Sequence, residues 1–225
     1  MSKLIVTIDG PAASGKSTAA RLLAKKLGAT FLDTGAMYRA VTLAAMRKEL
    51  DLSDDAAIEA LFDSVKFTFA VRGERMVVHI DSLDITEDIR SPDVTANVHY
   101  AASSPRLRAR LVQMQRDFAQ THEKIVTEGR DQGTVVFPDA DVKFFLVADE
   151  NERARRRQAE LAAKGKSPDI AETLLAIAKR DKSDLSRDVG PLKPASDAII
   201  IDTTHLSIEQ VVETLLSYVQ KNNEP

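Results

Sequence analysis

The sequence predicts an α/β fold: a mostly parallel sheet covered on both faces by helices, with a small inserted antiparallel β lobe and a helical lid. Three observations carry that prediction. An apolar run, Leu4-Ile5-Val6-Thr7-Ile8, leads through a glycine-bearing octet into an amphipathic segment. Short apolar runs recur at Lys124-Ile125-Val126-Thr127, Val142 to Ala148 and Ala198-Ile199-Ile200-Ile201, each followed by a helical or helix-initiating stretch, as parallel strands with crossover helices require. Between Val65 and Ile89 the pattern changes instead to period-two alternation, the mark of a hairpin.

The first strand is read at Lys3 to Ile8. The octet after it, Gly10-Pro11-Ala12-Ala13-Ser14-Gly15-Lys16-Ser17, is a full G-x-x-x-x-G-K-[ST] phosphate loop, with Thr18 next in line. Glycines at 10 and 15 let the backbone wrap close to phosphate oxygens and turn its N–H groups inward, and the following helix presents its positive end to the anion. Lys16 then reaches the β- and γ-phosphates, and the Ser17 hydroxyl takes one Mg²⁺ position, so the expected ligand is a nucleoside triphosphate, ATP. The helix runs from Lys16 to Leu27 on Ala19, Leu22, Leu23 and Leu27, and Gly28 ends it. Phe31-Leu32 leads into Asp33-Thr34-Gly35-Ala36-Met37-Tyr38-Arg39, where Asp33 or Thr34 caps a helix to about Lys48.

In the hairpin, Val65, Phe67 and Phe69 share a face, Arg72-Gly73-Glu74-Arg75 makes the turn, and Met76 to Ile80 returns; the lobe ends at the Arg90-Ser91-Pro92 break. Pro105 to Gln120 reads as an arginine-rich helix carrying Arg106, Arg108, Arg110 and Arg116, with Leu107, Leu111, Met114 and Phe118 toward a core. The phosphate loop, the Asp33 segment and Glu128-Gly129-Arg130-Asp131 all directly follow strands. Ligands of such sheets collect at the carboxyl ends of strands, so the three segments are expected at one rim.

Composition narrows the function. The 225 residues, 44% hydrophobic and 29% charged, suit one core plus a small inserted module. There is no cysteine, and His79, His99, His122 and His205 are too scattered to form a ligand set. A net charge of −3 and a pI near 5.9 argue against a nucleic-acid partner. No apolar stretch approaches the ~20 residues of a membrane span, and the N-terminus lacks a signal-peptide pattern, so a cytoplasmic monomer is the expectation. Of 17 arginines, 11 lie between Arg106 and Arg187, which points to a small anionic ligand.

Arg153, Arg156 and Arg157 stand at i, i+3 and i+4 on the helix after the Val142–Ala148 strand. They either face phosphate or pair with Asp149 and Glu160 on a solvated surface; both readings stay open. Lys164-Gly165-Lys166-Ser167-Pro168 follows as the breakable end of a lid. Arg180, Asp184 and Arg187 form another helical stripe, again readable as an anion site or as plain ion pairs.

Taken together, several pieces resemble the bacterial cytidylate kinases, a nucleoside monophosphate kinase branch of the P-loop NTPases. They are Ile8-Asp9-Gly10-Pro11 with its loop, Asp33 to Arg39, the narrow run Glu128-Gly129-Arg130-Asp131-Gln132-Gly133-Thr134-Val135-Val136-Phe137-Pro138, and Pro191-Leu192 ahead of Ala195-Ser196-Asp197-Ala198. The resemblance implies a three-layer α/β/α kinase domain over residues 1–225, with a core of about 1–35, 122–150 and 190–225. It further implies a monophosphate-binding region with the β insertion at about 36–121 and a lid at about 151–189. The implied activity is transfer of the γ-phosphoryl group of MgATP to CMP or dCMP.

Carried over residue by residue, the resemblance implies that Thr34, Arg39 and Arg130 hold the acceptor phosphate and that Arg108 and Glu128 meet the base. Asp131 falls with the substrate residues, and Arg180, Asp184 and Arg187 hold ribose and phosphates. Lys16 and Arg130, with Arg153 and Arg157 from the lid, neutralise the transferred group. The chain departs from the family in two places: His99 stands where a serine usually contacts the base, and Glu128 where aspartate is frequent. His99 is also readable as a packing residue. Rival readings are a kinase of another small acceptor, such as UMP or shikimate, and a nucleotide switch. Against the switch, no suitably spaced D-x-x-G and no N-K-x-D segment is present.

Overall fold

The computed structural model describes residues 3–73, 75–163, 165 and 167–222. In chain order its elements are β1 (Leu4–Asp9), α1 (Lys16–Leu27), β2 (Thr30–Asp33), α2 (Thr34–Arg47), α3 (Asp55–Glu59), α4 (Leu61–Ser64), β3 (Phe67–Arg72), β4 (Arg75–Ile80), β5 (Leu83–Asp84), α5 (Pro92–Ser103), α6 (Pro105–Gln120), β6 (Lys124–Gly129), β7 (Val142–Val147), α7 (Glu150–Ala162), α8 (Ile170–Leu185), β8 (Ile199–Asp202) and α9 (Ile208–Asn222). A 3-10 turn covers Asp88–Arg90 and a π turn covers Gln132–Val136. The chain divides into two compact units, one holding residues 4–28 and 126 onward, the other residues 29–125 with the start of the chain.

The first unit carries the phosphate loop. Its strands run in the order β6-β1-β7-β8. β7 pairs parallel with β1 from Val6 opposite Val142 to Asp9 opposite Phe145, and β8 pairs parallel with β7 from Phe144 opposite Ile199 to Val147 opposite Asp202. β1 and β7 are almost wholly buried, which explains their unbroken apolar runs: a strand covered on both faces has no solvent side to alternate with. α1 packs on β1 and α9, and α9 packs on β7. The core between them includes Val6, Ile8, Leu23, Phe144, Leu146 and Leu215, each such side chain stabilising the fold by roughly 1.5–3 kcal/mol through burial. α7 and α8, the expected lid helices, pack on each other and belong to this unit.

In the second unit β3 and β4 form the expected hairpin, Phe67 opposite Ile80 through Arg72 opposite Arg75, and β5 extends it. Phe67, Phe69 and Val71 are half-buried between exposed neighbours, as the alternation required. Gly73, at φ 65, takes the left-handed turn position, and Glu74 lies outside the described residues, as do Lys164 and Lys166 of the expected lid loop.

Two boundaries differ from the sequence reading, and a third is decided between the two residues that reading left open. Arg90-Ser91-Pro92 ends the lobe by starting α5: Ser91 Oγ accepts the Val94 N–H at 3.4 Å and Pro92 takes the first helical position, where its missing N–H costs nothing. Asp33, not Thr34, caps α2, accepting the Ala36 N–H at 2.9 Å. β6 continues two residues past Thr127, to Gly129, so Glu128 lies within the strand rather than following it.

Candidate active site

The phosphate loop is shaped by its glycines. A Cβ on Gly10 would lie 2.4 Å from the Leu146 carbonyl oxygen, and Gly15 has φ 85, so neither position accommodates a side chain without strain. Gly15 also caps α1 without any side-chain acceptor, whereas Asp33, Ser91, Ser104, Asp149 and Asp169 fill that role at α2, α5, α6, α7 and α8. The first α1 amides thus have no side-chain cap, an arrangement that suits an external anion. Ser14 Oγ is buried with no hydrogen-bond partner among the described residues. Lys16 is buried, its Nζ donating to the Pro11 carbonyl at 2.8 Å. Burial and then the Arg130 charge push its pKa down to about 7, against the opposing pull of Glu128, Asp184 and Asp9.

A second centre in the same unit gathers three guanidiniums on one carboxylate. Asp184 is fully buried; Arg130 Nε donates to it at 2.6 Å and Arg180 Nε at 3.2 Å, and Arg187 pairs with it as well. Burial alone would raise the Asp184 pKa, but Arg130, Arg180 and Arg187 together hold it below the usual carboxylate value. The ion-pair reading of these residues therefore holds, with Glu128 and Asp181 also acting on Arg130. Glu128 and Asp131 are buried beside Arg130 in the sequence. Burial would lower the Arg130 pKa, yet Asp184 and Glu128 raise it on balance.

Of the four α7 arginines, the three singled out in the sequence part ways. Arg153 is buried; its Nε donates to the Ala148 carbonyl at 3.1 Å and its Nη1 to the Ala12 carbonyl at 3.2 Å, and it pairs with Asp181. The other Asp181 oxygen accepts the Ala12 N–H at 3.2 Å. Arg156 donates to the Thr203 hydroxyl at 3.0 Å and carbonyl at 2.6 Å, and its Nη1 is the nearest atom, at 3.9 Å, to where a Gly15 Cβ would sit. Arg157 pairs with Glu160 at 2.8 Å on the exterior, as the surface-pair reading expected for it. The structure therefore brings Arg153 to the loop and leaves Arg157 outside it. Asp181 is a loop neighbour that the sequence reading did not select; Arg156, grouped with Arg153 by its i+3 spacing but not carried on to the transferred group, is another.

In the other unit, Thr34 and Arg39 share the start of α2. Asp33 pairs with Arg39 at 3.4 Å and with Arg90 at 3.0 Å. Burial would push its pKa up, but these arginines hold it down. Arg39 Nη1 lies 3.0 Å from where a Gly35 Cβ would sit, so the glycine makes room for that guanidinium. Arg108 is buried in α6, donates to the Ala102 carbonyl at 3.4 Å and lies 5.8 Å from the Tyr38 ring centre. His99, half-buried on α5, turns back on its own helix: Nδ1 is 2.8 Å from the Ala96 carbonyl and its ring lies 4.2 Å from that of Tyr100.

Residues 6–221 match the sequence model of the family described as cytidylate kinase. The cytidylate kinase of Pelotomaculum thermopropionicum is 47% identical over 215 residues, covering 95% of each chain. That of Limosilactobacillus fermentum is 47% identical over 217 residues, covering 96% of this chain and 95% of its own. That of Carboxydothermus hydrogenoformans is 44% identical over 219 residues, covering 97% and 98%. Among solved structures, an uncharacterized protein from Eubacterium ventriosum superposes with a TM-score of 0.51 at 14% identity, covering 97% of this chain and 99% of that one, a likeness of fold alone. With a match running almost from end to end, the chain belongs to the cytidylate kinase family.

Proposed function

We propose that the protein transfers the γ-phosphoryl group of ATP to CMP or dCMP, giving ADP and CDP or dCDP. The observation that carries this reading is that Lys16, buried in the phosphate loop, and Arg130, in the narrow Gly129–Pro138 run and bonded to the buried Asp184, stand in one unit as a donor-side and an acceptor-side cation. Two anions that repel in water need this convergence of positive charge.

The loop residues Gly10 to Thr18, through their backbone amides other than Pro11, which has none, and Ala12, whose N–H is given to Asp181, and the Lys16 ammonium hold the β- and γ-phosphates. Thr34, Arg39 and Arg130 hold the acceptor phosphate, while Asp131, Arg180, Asp184 and Arg187 hold ribose and phosphate oxygens. Arg108 donates to the ring acceptors of cytosine and Glu128 accepts from its amino group; uracil would turn an oxygen toward that carboxylate and be repelled. His99 is assigned to the base end of the acceptor as a further donor or acceptor. An acceptor phosphate oxygen attacks the γ-phosphorus in line, and the bond to the β–γ bridging oxygen breaks, its electron pair leaving with ADP. The acceptor is already ionised near neutral pH, so no general base is needed, and catalysis is alignment and charge cancellation. Arg153 and Arg157 supply further positive charge from the lid. Among the described residues Arg157 makes an exposed pair with Glu160, worth ~0–1 kcal/mol, so it is readily given up to phosphate.

The residues present also fit Mg²⁺. The donor chemistry is the ground for this: Ser17, in the first turn of α1 directly after Lys16, offers a hard hydroxyl oxygen of the kind Mg²⁺ takes alongside triphosphate oxygens. Bound there, the ion adds charge neutralisation on the β- and γ-oxygens.

A coupled assay of ADP formation with MgATP against CMP, dCMP, UMP, AMP and shikimate tests the reading. CMP and dCMP should stimulate turnover. Stimulation by UMP or shikimate alone would replace it with the other-acceptor reading.

A further inference from the structure

Asp9 ends β1, directly before the phosphate loop, and none of the roles above uses it. Its side chain is 4% exposed. One carboxylate oxygen accepts the Gln132 N–H at 2.9 Å and the other the Gly133 N–H at 2.8 Å. Gln132 and Gly133 follow Asp131 and open the π turn. The residue before the donor loop thus grips, with both oxygens, the residues that follow the Glu128–Asp131 run.

Neighbouring groups tighten the same grip. Thr127 Oγ1 donates to Gln132 Oε1 at 2.9 Å. A Cβ on Gly129 would meet Gln132 Cγ at 2.8 Å, and one on Gly133 would meet Thr7 Oγ1 at 3.0 Å, so the turn is packed to the limit that glycine allows. Only a carboxylate satisfies two converging N–H groups. An asparagine in its place turns its own NH₂ toward one of them, leaving donor against donor.

We infer that Asp9 is a positioning residue for phosphoryl transfer, holding the phosphate loop and the Glu128–Asp131 run in one register through the amides of Gln132 and Gly133. The inference rests on the transfer reading above. It follows that protonating Asp9 loosens the register, because one oxygen then becomes a donor facing an N–H. Burial pushes the Asp9 pKa up to about 7, with the two amides and Arg130 pulling it down and Asp131 pushing it up, so this loosening falls in an accessible range. Of the charged groups around it, Lys16 titrates in the same range but in the opposite sense, losing charge as pH rises, so its limb of a pH profile is separable.

The test uses the full chain and Asp9→Asn. The expected result is a roughly 10- to 100-fold fall in kcat, with Kd for ATP and for CMP, measured separately by calorimetry, each kept within about threefold, because misregister acts on the aligned pair more than on either partner. The acidic limb of the kcat profile should disappear in the variant. In the unsubstituted protein, the backbone amide resonances of Gln132 and Gly133 should titrate together, with the midpoint of that limb. A variant with kcat within about twofold of the parent overturns the inference, and so does parallel loss of kcat and both affinities, the mark of a merely structural role. Should Asp9→Asn fail to fold, the resonances decide: amides that titrate without a matching kcat limb also overturn it. Absence of turnover with every monophosphate in the unsubstituted protein would instead refute the transfer reading, and the amide titration would still report on the clamp.

Discussion

Lys16 and Arg130 are two cations sunk into the same unit, and the protein treats their charges in opposite ways. Lys16 donates to a neutral carbonyl, and burial drops its pKa to about 7. Arg130 is also subject to burial, yet Asp184 and Glu128 hold its pKa above the ordinary arginine value. Arg130 is compensated by the protein itself, whereas burial disfavours the Lys16 charge; on the proposed transfer reading, the acceptor side is then built in advance and the donor side is completed by its ligand.

Breaking the compensated side has the largest expected effect. Asp184→Asn leaves three guanidiniums on a neutral amide, and we expect a loss of about 3–5 kcal/mol in urea unfolding, as for other broken buried pairs. The folded Asp184 pKa lies below the unfolded value, so its contribution is complete above that value and disappears as pH falls through the folded one. Acid sensitivity in the range below about pH 4 should thus be weaker in the variant. Removing the uncompensated cation acts on rate instead. Lys16→Ala should lower kcat by about 10²–10³-fold while calorimetry finds CMP affinity kept. Equal loss of both would deny that the charge belongs to the donor side. Arg108→Ala should weaken CMP binding by about 1–3 kcal/mol and leave ATP binding unchanged.

The same contrast explains what was legible in the sequence. Lys16 sits in a contiguous motif whose backbone is nearly dictated, since Gly10 must make room for the Leu146 carbonyl and Gly15 must adopt a left-handed φ. Arg180 and Asp184 were legible as a helical pair, but the expected stripe stops there: α8 ends at Leu185, and Arg187 reaches Asp184 from beyond the helix. Arg130 joins them from 54 residues away, a pairing no local pattern encodes, and only the family resemblance singled it out. Asp9 escaped for the same reason: its partners are backbone amides 123 and 124 residues on, and backbone N–H groups leave no trace in residue types. α5 escaped because Ser91-Pro92 is equally good at stopping one segment and starting the next, and which it does depends on what packs beyond it: Val94 and Val98 are buried. Among the α7 arginines, helical spacing put three charges on one face, but the Ala12 carbonyl, Thr203 and Glu160 decide where each guanidinium goes.

The smallest effect is the sharpest test of the comparison. If Lys16 is partly neutral in the free protein at pH 8, a bound triphosphate must restore its proton, because the phosphate charge favours the ammonium that burial disfavours. ATP binding should then take up a fraction of a proton, read as a dependence of the calorimetric heat on the ionisation enthalpy of the buffer. The uptake should fade below pH 7, where Lys16 is already charged, and it should be missing in Lys16→Met. ATP affinity should accordingly fall as pH rises from about 7 toward the bound-state pKa, while Arg130, already compensated by Asp184, contributes no such slope. A heat of binding at pH 8 that is the same in every buffer would mean that both cations carry full charge before the ligand arrives, and the distinction between a prebuilt and a ligand-completed side would be gone.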